Sequence, residues 1–80
     1  MSEYTPTAEE IAQHYKAAGD SVTVINGLVA LSERDDEQTD TVRRNVKHLE
    51  IMVAKDFWTT EDLEPFNAAI TAGNAVLPTE

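Results

Sequence analysis

Val42, Val46, Leu49 and Val53 follow one another at gaps of four, three and four residues, with mostly charged and polar residues between them. Gaps of that kind gather side chains on one face of an α-helix. A strand, whose side chains alternate sides at every residue, would split the same four between two surfaces. The pattern predicts a long helix over about residues 37–55, with Phe57 extending the stripe beyond its end. Being the longest element expected, it is the one around which the rest of the chain should pack.

The remaining segments point the same way. Residues 5–19 carry helix start and stop signals: Thr5-Pro6 offers proline at a first helical position, and Thr7 with Glu10 offers a capping box two residues later. Ile11, Tyr15 and Ala18 recur at helical spacing with Ala8 on the same face, and Gly19 is the expected stop. Tyr4 and Tyr15 read as packing residues of this N-terminal part. Further on, Thr59 and Asp62 match a capping box, with Trp58 placed to staple onto Leu63. Proline clashes with the turn before it and lacks a donor, so Pro65 suggests a short turn at 60–63 and a helix over about 64–73. Phe66, Ala69 and Ile70 should face inward, Gly73 should end the helix, and Val76 and Leu77 should pack before Pro78 turns the tail away.

Residues 20–33, DSVTVINGLVALSE, admit two solutions. Asn26-Gly27 between apolar runs is a hairpin signal that would pair Val24 with Val29 and Val22 with Leu31. As a helix capped by Asp20 or Ser21, the same stretch has a broad apolar arc of Val22, Val24, Ile25, Leu28, Val29 and Leu31. A lone hairpin is marginal in water and no other segment supplies a third strand, so the helix is preferred despite a cost of about 1 kcal/mol for an internal glycine. The expected fold is therefore all-α: a single domain of three to four helices around the long one, with short polar tails.

Eighty residues without cysteine exclude a disulfide framework and any thiolate metal site. A chain this short buries only about 60% of the surface it exposes when unfolded. The start MSEYTPTAEE has neither a basic n-region nor an apolar h-region, so no signal peptide is expected, and no apolar run approaches a membrane span. Fifteen acidic against six basic residues leave a formal charge of −9, which argues against direct nucleic-acid binding and favours a partner with a basic face.

Against that background, four of the six cations cluster between Arg43 and Lys55. Projected on a helix, Ile51 stands almost opposite the Val42–Val46–Leu49–Val53 stripe, surrounded by Arg44, Lys47, His48 and Lys55, with Met52 on the flank near His48. An apolar centre with a polar rim is how protein interfaces are commonly built. Neighbouring helices or the long basic stems could instead cover Ile51 within the monomer. A second candidate is the acidic run Glu33, Asp35, Asp36, Glu37 and Asp40, which either mimics phosphates or begins a helix whose dipole favours anions. It is not an EF-hand: aligned on Asp36, the loop lacks its glycine and ends on Lys47 instead of Glu.

Signs of catalysis are sparse. His14 and His48 are the only histidines; Glu10 lies one turn before His14, but no spacing supplies a third metal ligand. There is no glycine-rich phosphate loop and no recognisable nucleophile–base motif, and a bundle of this size leaves little room for a pocket of several hundred Å³. No cofactor and no small-molecule substrate are expected.

Residues 44–75, RNVKHLEIMVAKDFWTTEDLEPFNAAITAGNA, resemble the C-terminal half of short proteins encoded in tailed-bacteriophage genomes. The shared pattern is a helix of the form RNVxHLEIMxAK, an aromatic pair, an acidic turn and an alanine-rich helix ending in glycine. It brings no catalytic or binding residues with it. What it implies is context: a phage protein in the host cytoplasm during infection, serving as a virion component, an assembly helper or a host-directed inhibitor. With the lack of catalytic motifs, the expectation is a non-enzymatic protein acting by contact with another protein or with further copies of itself, as a virion or assembly component. The alternative is an acidic inhibitor that occupies a host nucleic-acid-binding protein. The first role would use Arg44, Lys47, His48, Ile51 and Lys55, the second the acidic run.

Overall fold

The structure, a computed structural model, describes residues 6–77. Three helices account for nearly all of them: α1 (Ala8–Val29), α2 (Asp36–Val53) and α3 (Thr60–Val76). Each packs against both of the others, which makes a three-helix bundle in which no helix is central. Short connections at 30–35 and 54–59 return each helix antiparallel to the one before. No strand occurs among the described residues, so residues 20–29 belong to a helix and not to a hairpin.

Each helix begins with a complete capping box. Thr7 Oγ1 accepts from the Glu10 amide at 3.1 Å while the Glu10 carboxylate accepts from the Thr7 amide at 3.0 Å. Asp35 and Gln38 do the same at 2.7 and 3.0 Å, and Thr59 and Asp62 at 3.0 and 3.3 Å. Each cap satisfies donors that the first turn leaves open and contributes about 1 kcal/mol. The box at Thr7 settles where α1 begins, whereas Tyr4, Thr5 and Pro78 lie outside the described residues.

The helix ends correct several expectations. Gly19 does not stop α1, and Asp20 and Ser21 cap nothing, because the helix runs unbroken for 22 residues and is longer than α2. Its buried positions Ala18, Ser21 and Ile25 continue the spacing begun at Ile11 without a shift of face, and that shared burial outweighs a weak helix former. Pro65 also lies inside α3, which starts at Thr60 with no preceding turn. Pro65 and Glu61 are both exposed, so the interrupted hydrogen bond lies on the outer side of α3 and not in the core. Gly73 is an interior residue of α3, not its stop. It has no positive φ; a Cβ there would stand 2.5 Å from Val46 Cγ2 and 3.4 Å from side-chain atoms of Ile25 and Val42. The missing side chain is what lets α3 lie close against the other two helices.

The core consists of Ala18 and Ile25 from α1, Val42, Val46, Leu49 and Met52 from α2, and Phe66 and Ala69 from α3. Met52, expected on a flank, is buried, and Val53 and Ile70 are only half-buried. Val24 and Leu31, placed in the apolar arc by their sequence, are exposed. At the end where α2 gives way to α3, Trp58 sits 5.2 Å from Phe66 edge-on and 4.6 Å from Phe57, and Tyr15 stacks obliquely on both Trp58 and Phe66. Trp58 Nε1–H donates to the Met52 carbonyl at 2.7 Å, closing the C-terminus of α2 from the side. At the opposite end, Arg34 donates to the carbonyls of Leu28 and Leu31 at 3.1 and 2.8 Å and closes α1 in the same manner.

Candidate functional site

In a three-helix bundle each helix buries one face against two neighbours and presents the other to water. The inward face of α2 is the valine–leucine stripe, and its outward face carries Ile51, which is 66% exposed, the highest value among the exposed large apolar residues. Lys47 and Lys55 lie four residues to either side of it, both exposed, and neither forms an ion pair among the described residues. The basic stems therefore leave Ile51 open. Arg44, one helical turn before both Lys47 and His48, is exposed as well. Its guanidinium is held at 3.2 Å by Asp40, which also takes Arg43 at 3.2 Å.

His48 departs from the expected rim. It is half-buried, and its Nδ1 shares a hydrogen bond of 2.7 Å with the hydroxyl of Ser21, a buried residue of α1. Its imidazole thus joins α2 to α1, and only its edge reaches the outward face. Sequence reasoning missed this pair because Ser21 reads locally as a cap; the signal was a serine at a position the helical stripe required to be buried. Lys55 stands just beyond the last residue of α2, whose final turn holds no cation and is instead met by the indole N–H of Trp58.

The acidic run divides into two sets. Asp35 is engaged in its capping box and Asp40 by the two arginines, whereas Glu33, Asp36 and Glu37 are exposed and form no ion pair among the described residues. Asp36 and Glu37 occupy the first turn of α2, where the helix dipole favours negative charge.

Two open grooves correct the expectation of too little room. One, of about 330 Å³, lies between Val24, Gly27 and Leu28 of α1 and Glu37, Gln38 and Thr41 of α2. Its floor is apolar, and nothing stands within 4 Å of where a Gly27 side chain would begin. The other, of about 270 Å³, lies beside His14, Lys55 and Phe57. His14 stacks on Phe57 with ring centroids 5.8 Å apart, and among the described residues no three His, Asp or Glu side chains converge as a metal site would require. No described helix is long and apolar enough to cross a membrane.

No family model, curated protein or solved structure matches this chain.

Proposed function

We propose that the chain is a non-enzymatic protein that works by protein–protein contact through the outward face of α2. The observation that carries this reading is Ile51, open to water between two cations without ion-pair partners among the described residues. An exposed large apolar side chain flanked by Lys47 and Lys55 suits a partner surface that is apolar at its centre and acidic at its rim. The resemblance of residues 44–75 to short tailed-phage proteins supplies the setting, a small virion or assembly component. The competing role, an acidic mimic that occupies a nucleic-acid-binding protein, has less support, since Asp35 and Asp40 are already engaged locally.

A photo-crosslinking residue at position 51, compared with one at exposed Ala68 on α3, tests the reading in cells that produce the chain. Protein adducts from position 51 and none from position 68 are expected. Equal labelling from both positions, or none from 51, overturns it. Ile51→Asp should abolish the contact while leaving helix content unchanged by circular dichroism, because exposed substitutions usually shift stability by less than about 0.5 kcal/mol.

A further inference from the structure

The partner of the α2 face can be read from α2 itself. Glu37, Thr41, Arg44, His48 and Ile51 follow one another at alternating gaps of four and three residues in one seam along one side of α2, with His48 contributing only its edge, and Lys55 continues the spacing in the turn just beyond the helix end. The seam is polar except at Ile51, and its two ends carry opposite charge. Thr41 and Glu37 also form part of the α2 wall of the larger groove, whose α1 side is Val24, Gly27 and Leu28.

The geometry points to a second copy of this chain as the occupant, its α2 laid antiparallel along the first. Thr41 with Ile51, Glu37 with Lys55 and Arg44 with His48 all share Val46 as their midpoint. One antiparallel register therefore satisfies all three pairings twice, about a two-fold axis level with Val46. In that register Ile51 of each copy enters the groove of the other beside Thr41 and Val24, and Lys55 reaches Glu37 at the rim. A parallel register would bring Lys55 to Lys55 and Glu37 to Glu37, which is repulsive. The middle layer holds two arginines, but each already carries Asp40 at 3.2 Å, which offsets their mutual repulsion. This inference rests on the reading of the α2 face given above and names the partner at that face.

Sedimentation velocity of the purified full chain across a hundredfold concentration range, at physiological salt, tests it. A monomer–dimer equilibrium is expected. Lys55→Glu and Glu37→Lys should each weaken the dimer by about tenfold, and the double reversal should restore it, because like charges are then again opposed by unlike ones. Gly27→Leu, which fills the groove at a position with open space and ordinary helical φ, should weaken the dimer too. Mixing Gly27→Leu with Ile51→Asp should give a heterodimer that regains one of the two Ile51–groove contacts, whereas each variant alone keeps none. A dimer indifferent to these changes, or a double reversal that fails to restore it, overturns the register. A chain that stays monomeric while position 51 still cross-links to a different protein overturns self-association and leaves the contact reading standing. If position 51 cross-links to nothing, both fall.

Discussion

At the end of the bundle where α2 gives way to α3, the rings of Tyr15, Phe57, Trp58 and Phe66 close over the core, and the Trp58 indole ties down the Met52 carbonyl. At the other end α1 and α2 leave a groove above Gly27, with Val24 exposed at its edge. The first end covers Phe66 with aromatic rings and leaves only the smaller groove beside Phe57 and the outer side of Tyr15 open, whereas the second keeps apolar surface of α1 within reach of water. Two glycines sharpen the contrast. Gly73 is buried where any side chain would collide with Val46, whereas Gly27 faces open space in a helix that gains nothing locally from it. The same residue type serves close packing in one place and leaves a depression in the other.

The largest effect should come from the closed end. Phe66→Ala removes a side chain that is 2% exposed and should cost about 3–5 kcal/mol in chemical denaturation, a large share of what a domain of this size has. A loss below about 1 kcal/mol would mean that the aromatic end is not part of the cooperative core. Next comes Gly73→Ala. The new methyl stands 2.5 Å from Val46 Cγ2, so overpacking should destabilise by about 1–3 kcal/mol despite the better helix propensity of alanine. The smallest effect has the opposite sign. Gly27→Ala should stabilise by about 0.5–1 kcal/mol, visible as a rise in Tm, because nothing opposes the added methyl. If both glycine substitutions moved stability in the same direction, the contrast between the two positions would fail.

Much of the fold was legible in the residues. The capping boxes at Thr7 and Thr59 and the inward Val42, Val46 and Leu49 were readable from spacing alone, since they depend on contacts within a few turns. The exposure of Ile51 was open on the sequence and became definite only when α1 and α3 were seen to pack on the other side of α2. Breaker residues misled at Gly19, Pro65 and Gly73, because local propensity costs about 1–3 kcal/mol and a continuous buried face can outweigh it. The Ser21–His48 hydrogen bond joins residues 27 positions apart; helical spacing hints that Ser21 is buried but does not name His48 as its partner.

Residue order alone was enough to define an acidic, cysteine-free helical chain with caps at Thr7 and Thr59 and with Val42, Val46 and Leu49 on the inward side of α2. Packing between the helices was needed to establish that the described residues form three helices and not four, that Gly73 is a contact and not a stop, and that a groove lies beside the seam on α2. The division has a physical cause. Capping and periodicity act over one or two turns, whereas continuity through a weak residue, close approach and open space depend on which distant side chains arrive at the same place.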